Sequence, residues 1–260
     1  MSEIASLVLS ELGRALNSSL IFELNGIVAD DWQREALESI CSPLSQDKWQ
    51  LWNLGRRCGK STTAAAAAVT LASRNPGSLV VFVGPSERIS KENIRRCLSL
   101  IDGAGYAGEI LKRTMLEIEF RSKARILALP GKADTIRGLG DGIIALISDE
   151  TAYTDEVVFP AVLPYLATND QAAFVCLSTP RGMNNFFARE WHEGSRWKRF
   201  KIPSSSCPRI SAAYLEEMKE KLGPLYAQEF ENSFLDEDSE LFTRDMIFRA
   251  VDPELQAICL

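Results

Sequence analysis

The sequence predicts an α/β fold: a mostly parallel β-sheet flanked by helices, followed by a small C-terminal helical lid. Three observations predict it. Apolar runs rich in valine and isoleucine, LVVFVG (79–84), IIALIS (143–148) and AAFVCLS (172–178), recur between stretches with helical signals. Such unbroken runs suit strands buried on both faces, and strands alternating with helices build a parallel sheet. The turn LGRRCGKST lies between a short apolar strand and an alanine-rich helix, and the 143–148 run ends in Asp149-Glu150.

Taken in order, residues 2–18 read as an amphipathic helix and 31–41 as a second, opened by Asp30 or Asp31 as N-cap. Trp49–Asn53 is a short strand, and the alanine run in 62–74 favours helix. Asn75-Pro76-Gly77-Ser78 is a turn before the 79–84 strand, and Glu87–Ile101 reads as a helix. Met115–Phe120 and Arg125–Leu129 pair as a hairpin around Arg121-Ser122-Lys123-Ala124. Gly138, Gly140 and Gly142 loosen the chain before the Asp-Glu strand, and Thr154–Leu166 is a helix that Pro160 and Pro164 would break or kink. From Ser211 to Phe234 the pattern gives one or two helices interrupted at Gly223-Pro224. The organisation expected is an N-terminal helical segment (1–24), a core (25–200), a lid (201–235) and a linker (236–260).

Composition excludes several classes. The 260 residues are 46% hydrophobic and 25% charged, ordinary for a globular protein, and no apolar run approaches a membrane span. Six cysteines are scattered without a C-x-x-C pair, which argues against a zinc site or a disulfide framework. The single histidine, His192, leaves little support for a Ser–His–Asp triad. A net charge of −6 means that any nucleic-acid contact runs through a local patch or a larger assembly.

Chemistry concentrates at two places. In Gly55-Arg56-Arg57-Cys58-Gly59-Lys60-Ser61-Thr62, backbone N–H groups from Cys58 onward can point at phosphate oxygens, reinforced by the helix N-terminus. Lys60 would neutralise the β- and γ-phosphates of ATP, and Ser61 would give its hydroxyl to Mg²⁺. The loop is a deviant P-loop, because the usual first glycine falls at Leu54 and Gly55 stands one place later. At the strand end, Asp149 is the expected metal ligand and Glu150 the general base that activates water.

These residues resemble a known family. GRRCGKS at 55–61, IIALISDE at 143–150 and LSTPRG at 177–182, in this order, resemble the ATPase domain of the large terminase subunits of tailed bacteriophages, their DNA-packaging motors. The resemblance spans roughly residues 25–240, and the deviant loop is itself a feature of that family. It implies a RecA-like (ASCE-type) P-loop NTPase core with the three motif-bearing strands side by side. By position it also implies that Gln33 reads the adenine edge, that Arg56 contacts phosphate, and that Ser178-Thr179 couples to the γ-phosphate. Arg137 would be offered to a neighbouring subunit's nucleotide, a contact worth roughly 10³–10⁵ in rate. The implied partners are double-stranded DNA, a portal protein and a small terminase subunit. The implied setting is a homo-oligomeric ring on a procapsid in the bacterial host cytoplasm, with the isolated domain able to stay monomeric. A nuclease domain usually follows in this family. Asp236, Glu237, Asp238 and Glu240 read as a solvated linker toward that domain, so no nuclease activity is expected of this chain.

For DNA, Arg181, Arg189, Arg196, Lys198, Arg199 and Lys201 lie near Trp191 and Trp197 and form one candidate face; Arg121, Lys123 and Arg125 form a second. Two other readings compete. A helicase would also join an adenine-reading glutamine to a P-loop and Asp-Glu, but it needs a second RecA-like domain. A non-hydrolysing nucleotide-binding assembly module would be favoured if Glu150 lay away from the phosphate site.

Overall fold

The computed structural model describes residues 17–131, 139, 142–167 and 169–235. The chain runs α1 (Leu20–Leu24), α2 (Asp31–Cys41), β1 (Trp49–Leu54), α3 (Lys60–Arg74), β2 (Leu79–Gly84), α4 (Glu87–Gly103), β3 (Ile110–Arg113), β4 (Glu117–Phe120) and β5 (Arg125–Pro130). It continues through β6 (Ile143–Asp149), α5 (Val158–Leu166), β7 (Ala173–Ser178), α6 (Phe186–His192), β8 (Lys198–Ile202), α7 (Ala212–Leu222) and α8 (Leu225–Phe230). All eight strands form one sheet in the order β3-β4-β5-β2-β6-β7-β1-β8. Pairings from β5 to β8 are parallel; β3–β4 and β4–β5 are antiparallel.

Alternation along the strands divides the core between two faces. Val80, Phe82, Ala145, Ile147, Val175, Leu177 and Trp52 pack under α1 to α4. Val81, Val83, Leu146, Phe174, Cys176 and Leu51 pack under α5 and α6 with Trp197. The alanines 64–68 of α3 are all at most 1% exposed. Their small side chains let α3 lie close on the sheet while it carries the loop of interest at its N-terminus.

Local signals explain most boundaries. Asp30 and Gln33 form a capping box at the start of α2. Ser86, Asn185 and Ser211 accept N–H bonds at the starts of α4, α6 and α7. The expected Arg121–Ala124 hairpin is present, with Lys123 left-handed at φ 66°. The expected break at Gly223-Pro224 separates α7 from α8.

Three expectations change. The 154–166 helix starts only at Val158 and then runs across both prolines; Pro160 sits in its first turn, where no N–H is required. The antiparallel edge strand β3 and the parallel edge strand β8 were not anticipated, and the boundary expected at 200/201 falls inside β8. Of the 2–18 helix only Asn17 and Ser18 lie within the described residues, and they are not helical. The 236–260 linker lies outside the described residues.

The chain after β8 folds back on the sheet's end. Asn232 donates from Nδ2 to the carbonyls of Asn53 and Ile202 (3.0 Å for the latter), and its own carbonyl accepts from Asn53 Nδ2 at 3.1 Å. Both asparagines are at most 1% exposed, and Asn232 is left-handed at φ 63°. Asn232→Ala, which loses the buried bonds and strains the backbone, should cost about 2–4 kcal/mol in urea unfolding. Asn232→Gly, which loses only the bonds, should cost roughly 1 kcal/mol less. Equal costs would mean that the backbone conformation at 232 contributes nothing.

Candidate nucleotide site

The loop Gly55–Gly59 joins β1 to α3 through two left-handed residues, Arg57 (φ 66°) and Gly59 (φ 85°). Gly59 caps α3, and the first-turn N–H groups of Lys60, Ser61 and Thr62 have no helical carbonyl one turn behind them. They and the helix dipole favour an anion. The front of the loop is held differently. Gly55 N–H donates to Ile202 O at 3.0 Å and Arg56 N–H to Glu229 O at 3.0 Å, while Ser204 Oγ donates to Arg56 O at 2.9 Å. A Cβ on Gly55 would stand 2.4 Å from Ser204 Oγ and 2.8 Å from Ser204 N. Close packing against the returning C-terminal segment therefore requires glycine here. The Arg56 guanidinium, expected at phosphate, bonds Glu229 of α8 at 2.6 Å. Cys58 is buried beneath the loop, and burial pushes its thiol up to about 11, so it stays protonated near neutral pH.

The strands expected to carry the motifs are neighbours, β6-β7-β1. This geometry brings Glu150, at the end of β6, to Lys60: Nζ and Oε1 are 3.3 Å apart, with Lys60 13% and Glu150 28% exposed. Glu150 is left-handed (φ 53°, ψ 48°), unusual for a residue with a Cβ and of a kind that concentrates at functional sites. Asp149 beside it is 3% exposed, and its Oδ1 has no hydrogen-bond partner. Burial, then the Glu150 charge, raises its carboxyl to about 6, against the opposing pull of Lys60, Asn93 and Arg96.

Ser178 and Thr179 sit at the end of β7, both buried. Ser178 Oγ accepts from Ala152 N–H at 3.3 Å. The one-turn helix Thr151–Tyr153 thus ties the backbone after Glu150 to β7. Among the described residues no three His, Cys, Asp or Glu side chains converge on a metal site. Ser61 and Asp149 could supply only the protein part of a cation's oxygen shell, as is usual for Mg²⁺ bound with phosphates.

Gln33 lies against the loop, with both ends of its amide engaged. Oε1 accepts from Asp30 N–H at 2.9 Å, and Nε2 donates to Thr63 Oγ1 at 2.7 Å. A base-edge contact would require these bonds to be exchanged. Arg137 lies outside the described residues.

The basic run 181–201 does not form one free face. Arg181 lies over the Tyr153 ring (5.0 Å) and Arg196 over Trp49 (4.1 Å). Lys198 pairs with Glu35 at 3.0 Å and Asp47 at 3.4 Å on the α2 side. Arg199, pointing the opposite way along β8, donates to the carbonyls of Trp191, Trp197, Glu190 and Gly194. Trp197 belongs to the core. In the second basic group, Lys123 pairs with Glu119 and Arg125 with Glu117, and Arg121 donates to Gly108 O.

Solved structures share this architecture. The ATPase domain of the Thermus phage P74-26 large terminase superposes with a TM-score of 0.68 at 20% identity, covering 82% of this chain and 97% of that one. This is the fold of a phage large-terminase ATPase domain. A large terminase from a thermophilic bacteriophage, in complex with ADP, matches with a TM-score of 0.67 at 16% identity over 80% of this chain and 54% of its own. The HK97 bacteriophage large terminase matches at 0.63 and 13% identity, over 80% of this chain and 51% of its own. No family model matches the chain, and no curated protein matches it in sequence. At these identities the terminase likeness is one of fold. Among the described residues no helix is long and apolar enough to cross a membrane.

Within this terminase-type fold the buried Asp149 makes a pH signature. Its folded-state pKa of about 6 lies above the ordinary aspartate value of 3.8, so the native state binds the extra proton between these values. Stability from this group falls as pH rises through that window, and the cost of the buried charge is fully present above it. Asp149→Asn should therefore stabilise the cation-free protein by about 1–3 kcal/mol at neutral pH. The gain should disappear below the unfolded pKa, as read by urea unfolding in a chelator. A gain independent of pH would refute this account.

Proposed function

We propose that this chain hydrolyses ATP and is the motor domain of a large-terminase-type machine that drives double-stranded DNA into a viral procapsid. The observation that carries the proposal is the Lys60–Glu150 contact at the mouth of the loop, with Asp149 buried beside it. A cation aimed at phosphate and a carboxylate at the same point are what in-line attack of water on a γ-phosphate requires.

In this reading the N–H groups from Cys58 to Thr62 cradle the phosphates, with Gly59 setting the turn, and Lys60 turns from Glu150 toward the γ-phosphate. Glu150, released, orients the attacking water and accepts its proton. Ser61 Oγ and the unpartnered oxygen of Asp149 are the groups that would hold Mg²⁺, which supplies charge neutralisation on the phosphate oxygens when bound. Displacement at Glu150 passes through Thr151–Tyr153 to Ser178 and Thr179, which gives those two residues their coupling role. Arg56 and Arg57 border the phosphate entrance, and Gln33 braces the loop against α2.

Arg137, as a finger acting on a neighbour's nucleotide, makes the active form a ring, consistent with a portal protein and a small terminase subunit as partners inside the host cell. For DNA, Arg181 is better placed than Arg196, Lys198 or Arg199, exposed just past the end of the coupling strand. Arg196 follows, stacked but exposed, whereas Lys198 and Arg199 are held by their own acids and carbonyls.

Steady-state ATP hydrolysis with Mg²⁺ tests the reading. Glu150→Ala should lower kcat by about 10²–10⁴ while ATP binding survives. Wild-type turnover per chain should rise with protein concentration, because Arg137 is supplied in trans. Equal rates for wild type and variant would remove Glu150 as the base, and a flat concentration profile would remove the trans arginine.

A further inference from the structure

Arg209, which no motif of the sequence singles out, lies on the Gln33 side of the loop. It belongs to the segment between β8 and α7, whose Cys207 Sγ donates to Arg57 O at 3.7 Å. The guanidinium forms a two-bond fork with Asp30, Nη1–Oδ1 2.8 Å and Nη2–Oδ2 2.7 Å. Two parallel bonds fix the plane of the group and not merely its charge. Asp30 is in turn fixed by the capping box with Gln33. The Arg209 side chain nevertheless remains 49% exposed, so the fork leaves part of the planar group uncovered. It stands beside the phosphate loop: a Cβ on Gly59 would be 2.9 Å from Gln33 Nε2 and 3.9 Å from Arg209 Nη2.

Two facts combine. The amide that could read a base edge already has a partner at each end, Asp30 N–H and Thr63 Oγ1. Directly beside it stands a planar cation whose orientation is set by a carboxylate, and such a group stacks on aromatic faces. We propose that Arg209, held in plane by Asp30, is a nucleotide-binding residue that stacks on the base, so that the site accepts purine nucleoside phosphates with little discrimination between adenine and guanine. The proposal rests on the nucleotide-site reading above and deepens it. Hydrogen-bond reading would separate the two purines by their opposite donor and acceptor edges. A stacked cation responds to the π-face, which both possess.

Isothermal titration of the whole chain with ADP, GDP and inorganic pyrophosphate separates the possibilities. Wild type should bind ADP and GDP within about threefold of each other. Arg209→Ala should weaken both about tenfold and leave pyrophosphate unchanged, since stacking is lost and the phosphate loop is not. Arg209→Lys should not recover the loss, because it restores charge without the plane. Unchanged ADP affinity in Arg209→Ala would overturn the proposal. So would an equal loss for pyrophosphate, which would place the effect on the loop, or recovery by lysine, or GDP binding more than about thirtyfold weaker than ADP in wild type. Lys60→Ala should abolish pyrophosphate binding. If wild type binds neither pyrophosphate nor nucleotide, the nucleotide-site reading itself fails and this proposal with it.

Discussion

The loop between Leu54 and Lys60 must turn a buried strand into a helix while keeping its later N–H groups free for a ligand. Free donors inside a fold are costly, so something else must hold the loop's shape. Here the C-terminal segment does so. Ile202, Ser204 and Glu229 take the loop's front half through backbone and side-chain bonds, and Asn232 joins the ends of β1 and β8. Gly55 is tied to this packing, and Gly59 to the turn into α3. The segment read from sequence as a lid is, in the structure, the wall behind the loop.

The second constraint is electrostatic. Asp149 and Glu150 are adjacent acids, one buried without a full set of partners and one in a strained backbone conformation answered by Lys60. A fold gains no stability from such an arrangement, because burial and the like charge both raise the Asp149 pKa. Strain and an orphaned carboxylate at the same strand end mark where folding and chemistry pull apart. The Thr151–Tyr153 turn, bonded to β7 through Ser178, gives that strain a route to the neighbouring strand.

Much of this was legible from sequence because it is local. The apolar runs of β2, β6 and β7, the alanines of α3 and the position of Asp149-Glu150 all follow from periodicity and short spacing. The side-by-side placement of the motif strands came with the resemblance to large terminases. What was not legible depends on distant partners. Arg56 with Glu229, Asp30 with Arg209 and Asn53 with Asn232 are each separated by more than 170 residues, and no local pattern links them. The basic run 196–201 looked like a surface patch because its charges hid the period-two alternation of an edge strand. Lys198 and Arg199 point to opposite faces and are tied down there.

The most direct test is a crystal structure with Mg²⁺ and a slowly hydrolysed ATP analogue. The account predicts the γ-phosphate between the N–H groups of residues 58–62 and Lys60, with Lys60 separated from Glu150 and the Asp149 carboxylate turned toward the cation. Nucleotide bound elsewhere, or phosphate seated on the loop with the Lys60–Glu150 pair still closed, would contradict it.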